Sequence, residues 1–453
     1  MRSSLTDRVP DRLDLAGLRD AYAAGLRPAA VVEAVLERIA ARGADAVWIS
    51  RFDAAALRAE AAAVEGRWGG GPRPPLYGVP FAVKDNIDVA GLPTTAACPA
   101  FGYDPMADAT SVRRLREAGA IPVGKTNLDQ FATGLNGGRS PYGAPESVFG
   151  GDLVSGGSSS GSAVAVAAGT VSFSLGTDTA GSGRVPAAMN GIVGLKPTRG
   201  LVSTAGVVPA CRSLDCVSVF TTRLDDAAAV LDVLAAPDPA DPWSRTGAPP
   251  PPTDGLRLLL AAPGALDHEG DTAYAAAFDA VARTAADRAT AVGHVEPGPL
   301  LEAGDLLYGG PWVAERRAGL ADFVDARPDA VLPVVRAILD GGARFDAVDA
   351  FRARHRLQEL RAWTARLWER GDVLLLPTVP TTFTRAELAA EPVARNLVLG
   401  RFTQFANLLD LAAVAVPAGF TADGRPVGAT LLGPAFTEGR LLSAAHELIE
   451  EAA

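Results

Sequence analysis

Hydrophobic residues recur at helical spacing through the first seventy residues of the chain. One series is Leu13, Leu15, Leu18 and Ala21, and a second runs through residues 31–39. Steps of three and four residues place such side chains on one face of a helix. Residues 1–70 are therefore predicted to form N-terminal helices, which a Gly- and Pro-rich turn at 68–75 ends.

Between Tyr77 and Phe220 the pattern changes to short apolar runs separated by Gly-rich loops. The runs cover residues 79–83, 121–123, 171–175 and 192–195. Runs of this length that alternate with helical segments are typical of buried strands in a partly parallel sheet. The longest uncharged stretch, residues 153–177, is rich in Gly and Ser. It is predicted to be a buried loop, helix and strand rather than a membrane span.

The second half of the chain continues this mixture of helices and strands. A helix is predicted at 225–234 and a Pro-rich surface excursion at 237–255. Beyond the excursion the pattern predicts strands at 256–262, 372–377 and 411–417, helices at 272–292, 346–370 and from Glu438, and a turn at 421–425. Because strands occur on both sides of the excursion, residues 1–453 are predicted to form a single α/β domain, with a core at about 77–220 and a closing segment at 256–453.

Composition narrows the class of function. The formal net charge is −10, and Lys and Arg form no stripe along the chain. A nucleic acid or an anionic membrane is therefore not expected as a partner, and chemistry on a small molecule is favoured. Three cysteines are too few for a disulfide framework and lack the spacing of a zinc site, which predicts a reducing cytoplasm and no metal. Charged residues within positions 1–13 argue against a secretory signal.

Candidate chemistry is concentrated in two polar segments, residues 155–162 and 176–184, that lie within apolar sequence. Buried hydroxyl and amide groups need partners, so such segments are candidate sites. One interpretation is a phosphate-binding loop at 176–181, although Ser-Gly follows where Lys-Ser/Thr is required. Another is a serine nucleophile elbow at 157–161, which needs a histidine. His268 and His355 lie in charged contexts typical of solvated surface.

A third interpretation uses lysine as the base. Lys84 ends an apolar run, where an ammonium group would be costly to desolvate. Burial can lower the pKa of a lysine by several units and leave a neutral amine that accepts a proton from serine. The alternative is structural, an ion pair of Lys84 with Asp85 or Asp88.

With Lys84, the segments 156–161, 176–182 and 194–198 resemble the signature of the amidase signature family. The spacing of Lys84, Ser158 and Ser182 is also similar to that family's. The resemblance extends over about 77–220 and includes 428–433. It implies a large twisted mixed β-sheet with α-helices on both sides, an amidase activity on linear amide C–N bonds, and no cofactor.

The resemblance also implies a role for each residue of the two segments. Ser182 is then the nucleophile, Ser158 is a bridging serine that follows a cis peptide bond, and Lys84 is the base. Backbone amides of Thr179, Ala180 and Gly181 form the oxyanion hole, and Ser155, Asp178 and Arg184 support the site, the last two as an ion pair.

Three further segments, 85–94, 209–216 and 307–317, are similar to the allophanate hydrolase branch of the family. In that branch a tyrosine and an arginine eight residues apart bind substrate, which implies these roles for Tyr308 and Arg316. Eight residues are just over two helical turns, so both side chains can face one pocket. The alternative is that Arg316 pairs with Glu315 or Asp322 at the surface while Tyr308 packs in the core.

These likenesses imply that the chain cleaves the terminal amide of allophanate through an acyl-enzyme, releasing ammonia and N-carboxycarbamate in urea degradation. The alternatives are an amidase for another small amide, or the glutamine-hydrolysing subunit of a tRNA amidotransferase. A homodimer is the implied assembly. Because the chain ends at Ala453, without the C-terminal domain common in that branch, decarboxylation of the product is expected to be spontaneous or to need a separate protein.

Overall fold

A mixed sheet of eleven strands forms the centre of the computed structural model, which describes residues 9–251 and 255–449. The strands are β1 (Trp48–Arg51), β2 (Pro80–Lys84), β3 (Ile121–Thr126), β4 (Phe173–Asp178), β5 (Val193–Lys196), β6 (Cys216–Thr221), β7 (Arg257–Ala261), β8 (Ala291–Val295), β9 (Val373–Pro377), β10 (Ala412–Phe420) and β11 (Pro426–Gly433). The predicted strands are confirmed, with shifted ends.

Helices fill the connections between the strands. They are α1 (Leu15–Ala23), α2 (Pro28–Arg42), α3 (Ala54–Trp68), α4 (Thr110–Glu117), α5 (Ser160–Ala167), α6 (Val185–Met189), α7 (Leu224–Leu234), α8 (Thr272–Arg288), α9 (Gly298–Tyr308), α10 (Trp312–Ala318), α11 (Ala321–Ala326), α12 (Pro333–Asp340), α13 (Ala347–Arg370), α14 (Arg385–Ala390), α15 (Ala394–Gly400), α16 (Phe405–Leu408) and α17 (Glu438–Leu448). Short 3₁₀ turns lie at Pro99–Phe101, Gln130–Ala132, Pro328–Ala330 and Gly341–Arg344. None of the described helices is both long and apolar enough to cross a membrane.

The order of strands across the sheet is β1-β3-β2-β4-β6-β5-β10-β11-β9-β7-β8. The pairs β2–β3, β2–β4, β7–β8 and β7–β9 are parallel, and the other neighbours are antiparallel. The predicted α/β fold with a mixed sheet is confirmed. Strands from the end of the sequence, β10 and β11, lie in the middle of the sheet between β5 and β9.

Both faces of this central region are covered. Successive residues of a strand point to opposite faces, and in β9 Val373 and Leu375 belong to one hydrophobic cluster whereas Leu374 and Leu376 belong to another. The first cluster includes side chains of α8 and α17, and the second includes side chains of α9 and α13. Strand β9 is therefore a continuous apolar run, as expected where a sheet is buried on both sides.

Three secondary-structure predictions need correction. The N-terminal region is not entirely helical, because β1 lies between α2 and α3 and pairs with β3. The helix predicted at 272–292 ends at Arg288, where extended backbone at Ala289 starts the connection to β8. Strands β6, β8 and β11 and helices α9–α12 and α14–α16 were absent from the predicted pattern. The excursion has no helix or strand over 237–251, and residues 252–254 lie outside the described residues, as do 1–8 and 450–453.

Candidate active site

Three side chains from separate elements meet at the carboxyl ends of two parallel strands. Lys84 is the last residue of β2, Ser158 precedes α5, and Ser182 lies in the turn after β4. The Nζ atom of Lys84 is 2.8 Å from Oγ of Ser158, which is 2.9 Å from Oγ of Ser182. The structure thus brings together the lysine and both serines in the order that a proton relay needs.

The hydroxyl of Thr177 is a second partner of the Lys84 amine, besides Ser158. Its Oγ1 is 2.7 Å from Nζ of Lys84. Strands β2 and β4 are parallel neighbours in which Val83 pairs with Leu175. Lys84 and Thr177 follow at the carboxyl ends of these strands, so their side chains lie close together. Thr177 was not among the predicted site residues, although it lies in the segment 176–184.

Burial lowers the pKa of Lys84 from its usual value to about 7, against the opposing charges of Asp129, Asp178 and Asp215. The side chain is fully buried. An amine with this pKa is largely neutral at slightly alkaline pH and can accept a proton.

The alternative ion pairs for Lys84 are not present. The Asp85 carboxylate lies 3.1 Å from Nζ of Lys125, and Asp88 accepts hydrogen bonds from Thr94 and Tyr103.

The two competing interpretations of the polar segments also fail. Gly176 lies within strand β4 rather than in a phosphate-binding loop. Ser159, the serine of the elbow pattern, donates its hydroxyl to the carbonyl of Thr177 at 3.1 Å. His355 is exposed as predicted. His268 is instead buried, because its ring packs beside Phe402 and its Nδ1 lies 2.8 Å from the carbonyl oxygen of Pro380.

The peptide bond between Gly157 and Ser158 is cis, as the resemblance implies. A Cβ atom at Gly157 would overlap the carboxylate of Asp129, so only glycine fits there. That carboxylate accepts the backbone amides of Asn136, Gly137 and Arg139. Ser155 lies at the start of this loop, where its carbonyl accepts the side chain of Asn190 at 2.8 Å.

Asp178 organises the turn that carries Ser182. Its carboxylate accepts the amides of Gly181 at 2.8 Å and Gly183 at 3.0 Å, and it forms two hydrogen bonds of 2.9 and 3.0 Å with Arg184. Burial alone would raise the pKa of Asp178, but the Arg184 charge and these hydrogen bonds hold it below its usual value. The predicted ion pair is present, with both side chains fully buried.

One of the three amides that the resemblance assigns to an oxyanion hole already has a partner inside the protein. Because the Gly181 amide donates to Asp178, it is already used inside the protein. The amides of Thr179 and Ala180 are the remaining members of the predicted set. The carbonyl of Ala180 accepts the hydroxyl of Thr403 at 2.8 Å, which fixes the orientation of the peptide group between Ala180 and Gly181.

Tyr308 and Arg316 do not share a helix, which corrects the helical-face argument. Tyr308 is the last residue of α9, and Arg316 lies in α10. The segment 309–311, Gly-Gly-Pro, separates the helices, and a Cβ atom at Gly310 would overlap the carbonyl oxygen of Leu306. The side chains still meet across this break, because Cζ of Arg316 lies 5.5 Å from the centre of the Tyr308 ring.

Arg316 is buried and has a free hydrogen-bonding position. Its Nη1 donates to Oγ1 of Thr133 at 3.1 Å and to the carbonyl of Ala132 at 3.3 Å. Its Nη2 has no hydrogen-bond acceptor among the described residues. The surface ion pair with Glu315 is not formed, because Glu315 accepts the amide and hydroxyl of Ser213, each at 2.7 Å. A buried, partly unpaired guanidinium is suited to an anionic ligand.

Comparison with known proteins places these features in a family. A profile of the family described as Amidase matches residues 30–442. The chain belongs to this family. Over 380 residues it is 48% identical to urea amidolyase of Saccharomyces cerevisiae, covering 83% of this chain and 21% of that protein. The chain thus spans about a fifth of the length of this amidase relative.

This chain covers a larger share of two other similar proteins. A glutamyl-tRNA(Gln) amidotransferase subunit of Natronomonas pharaonis is 37% identical over 409 residues, covering 83% of this chain and 96% of that protein. The solved structure of Kluyveromyces lactis allophanate hydrolase superimposes with a TM-score of 0.90 at 41% identity, covering 96% of this chain and 72% of that chain. The amidase fold is therefore shared along nearly the whole chain.

Proposed function

We propose that the chain hydrolyses the terminal amide of allophanate and releases ammonia and N-carboxycarbamate. The observation that carries the proposal is the buried guanidinium of Arg316, whose Nη2 has no acceptor among the described residues and whose plane lies beside Tyr308. Allophanate is a small urea-like amide with one carboxylate, which a guanidinium can bind while a phenol donates a further hydrogen bond. The names of the urea amidolyase and allophanate hydrolase relatives agree with this substrate.

Lys84, Ser158 and Ser182 supply the proposed covalent chemistry. Neutral Lys84 accepts a proton from Ser158, which in turn accepts the proton of Ser182 as its oxygen attacks the amide carbonyl. The negative charge that develops on the carbonyl oxygen is stabilised by the amides of Thr179 and Ala180.

Collapse of the tetrahedral intermediate breaks the C–N bond. The proton on Lys84 returns through Ser158 to the leaving nitrogen, which departs as ammonia. Water then loses a proton through the same relay and attacks the acyl-enzyme. The ester bond to Ser182 breaks, N-carboxycarbamate is released, and the serine recovers its proton.

The second candidate is glutamine hydrolysis, which the similarity to the amidotransferase protein favours, since the match covers 96% of that protein. Glutamine also carries a carboxylate and a terminal amide, but it is longer and bears an ammonium group. Acidic side chains would be needed to bind that ammonium group. Substrate preference therefore separates the two candidates.

The test is a panel of allophanate, malonamate, biuret, urea and glutamine, assayed for ammonia release. We expect allophanate to be preferred and Ser182→Ala to abolish release. We expect Arg316→Ala to raise the KM for allophanate and malonamate by about 10- to 100-fold, from the loss of a charge-assisted hydrogen bond. The rates on biuret and urea should not change, because these amides lack a carboxylate.

Arg317→Ala is the matched control. Arg317 neighbours Arg316 in the sequence but forms ion pairs with Asp325 and Asp340, both exposed. The Arg317→Ala variant should have wild-type kinetics on every substrate. A wild type that prefers glutamine, or an Arg316→Ala variant with unchanged kinetics on allophanate, would contradict the substrate assignment.

We also propose that the chain acts as a homodimer in a reducing cytoplasm. Free, buried thiols at Cys98, Cys211 and Cys216 support the compartment, and the resemblance to the family supports the dimer. Sedimentation equilibrium of the purified chain tests the assembly. We propose that N-carboxycarbamate then decarboxylates spontaneously or on a separate protein, and timed release of CO₂ relative to ammonia distinguishes these two routes.

A further inference from the structure

A short loop, residues 210–215, forms hydrogen bonds both with the turn that carries Ser182 and with the helix that carries Arg316. We name it the bridging loop. Its last residue, Asp215, is buried, and its Oδ1 accepts the hydroxyl of Thr179 at 2.5 Å. Its Oδ2 accepts the amide of Ala210 at 2.9 Å, and the carboxylate also accepts the amide of Cys211 at 3.1 Å. One carboxylate therefore binds the Ser182 turn and closes the bridging loop.

The other side of the bridging loop contacts α10. Ser213 donates its amide and its hydroxyl to the carboxylate of Glu315, each at 2.7 Å. The thiol of Cys211 lies 3.4 Å from the carbonyl oxygen of Trp312. Since Arg316 directly follows Glu315 on this helix, the loop is bonded both to the proposed oxyanion donors and to the proposed substrate-binding element.

We propose that Asp215 is a positioning residue, which acts through the Thr179 hydroxyl to orient the oxyanion donors. This inference rests on the proposed function of the Ser182 turn. Each residue of the turn has its own anchor: Asp178 holds the Gly181 amide, Thr403 holds the Ala180 carbonyl, and Asp215 holds the Thr179 side chain. Asn407 also donates to the Asp178 carbonyl at 2.8 Å, on the peptide group that carries the Thr179 amide, so the distinct contribution of Asp215 is to hold the Thr179 side chain.

The physical reason is that oxyanion stabilisation depends on direction. Backbone donors act on the transition state only when they point to the place that the oxyanion will occupy. Loss of the Thr179 hydroxyl would leave Oδ1 of the buried Asp215 carboxylate with the longer hydrogen bond from the Cys211 amide, at 3.1 Å, in place of the two bonds it now accepts, which is costly. The side chain at position 179 would then no longer be attached to the bridging loop, and the turn would shift together with the Thr179 and Ala180 amides. The ground-state contacts of Arg316 with the substrate would remain.

The test replaces Thr179 with Val and with Ser. Valine keeps the shape of threonine but has no hydroxyl, whereas serine keeps the hydroxyl. Both variants are assayed on whichever amide of the panel the wild type hydrolyses fastest, so an error in the substrate assignment leaves this test intact. We expect Thr179→Val to lower kcat about 10- to 100-fold with KM within about twofold of wild type. Thr179→Ser should recover kcat to within about threefold.

Thr204→Val is the matched control. Thr204 donates its hydroxyl to the buried carboxylate of Asp241 at 3.0 Å. Both residues line the same cavity of about 200 Å³ as Asp215, but the contacts of Thr204 do not include the Ser182 turn. This variant removes an equivalent hydrogen bond and should leave kcat unchanged.

Two results would overturn the inference. One is a Thr179→Val variant with wild-type kcat. The other is an equal loss of kcat in Thr179→Val and Thr204→Val, accompanied by an equal fall in the thermal unfolding midpoint, which would indicate a general effect on folding. If Ser182→Ala keeps full activity, the proposed function fails independently, since that result concerns the nucleophile and not Asp215.

Discussion

In the proposed mechanism, the reaction can begin only when Lys84 is uncharged. The amine is enclosed by Ser158 and Thr177, and burial outweighs three nearby carboxylates in setting its pKa. Desolvation favours the neutral amine because a buried ammonium loses its hydration. In the proposed mechanism, Lys84 is therefore a base that works near neutral pH without a histidine.

We expect kcat/KM to fall as the pH is lowered through about 7, because protonated Lys84 cannot accept the proton from Ser158. The loss should approach tenfold per pH unit below that value, as for one essential base. Ammonia release measured from about pH 5.5 to about pH 9 checks this. Lys84→Arg should be inactive across the range, since its guanidinium stays charged. A flat profile below about pH 7 would contradict the assignment of Lys84 as base.

The site residues that the sequence predicts are those with a recognisable pattern in the residues around them. The residues that it misses lack such a pattern. Ser158 and Ser182 lie in dense Gly–Ser segments, and Lys84 ends an apolar run, so each has a signal within a few positions. Thr403 has no such signal, and Asp215 lies in the segment 209–216 without a feature that distinguishes it from its neighbours. Their importance comes from contacts with Thr179 and Ala180, which are distant in sequence and depend on the completed fold.

At the scale of elements, the site depends on how strands and helices end. The parallel pairing of β2 with β4 places Lys84 beside Thr177, and the break at 309–311 places Arg316 beside Tyr308. The spacing of eight residues predicts that these two side chains lie close together, which they do. The prediction assumes a single helix, whereas the residues lie on two. Helical periodicity cannot show that Gly-Gly-Pro turns the chain into a new helix.

The position of α10 depends on Glu315, which accepts two hydrogen bonds from Ser213. We expect Glu315→Ala to raise the KM for allophanate about tenfold, because loss of these charge-assisted bonds loosens the helix that carries Arg316. The kcat should change less, since Thr179 keeps its contact with Asp215. Steady-state kinetics check this.

Asp322→Ala is the control, because Asp322 is an acidic residue of the neighbouring helix α11 that is exposed to solvent. It should behave as wild type. An unchanged KM in Glu315→Ala would show that α10 is held by its other packing contacts.

Short or edge strands limited what the sequence could predict about the elements. β1 has only four residues, and β8 is an edge strand whose first two residues are exposed. Neither carries the continuous apolar run that marks β9. Their strand conformation follows from pairing with β3 and β7, which is tertiary information.

At the scale of the whole molecule, the sheet joins residues that are far apart in sequence. Val414 of β10 pairs with Leu195 of β5 on one side and Leu431 of β11 on the other. Strand β2, which ends at Lys84, and strand β4, which precedes the turn with Ser182, therefore lie in the same sheet as the C-terminal β9–β11 region. This continuity supports the prediction of a single domain, which unfolding experiments can test.

We expect Val414→Ala to lower the free energy of unfolding by about 2 kcal/mol or more, because it removes two buried carbons and leaves a cavity in the hydrophobic cluster between the sheet and the helices α8 and α17. Val348→Ala is the matched control, since Val348 is 53% exposed on α13 and its truncation should change stability by less than about 0.5 kcal/mol. Urea denaturation followed by circular dichroism and by amidase activity measures both. If residues 1–453 form one cooperative unit, the two signals are lost together in both variants, at a lower urea concentration in Val414→Ala. Separate transitions for activity and secondary structure would instead divide the chain into two units, and the proline-rich segment at 237–255 would be the boundary to test.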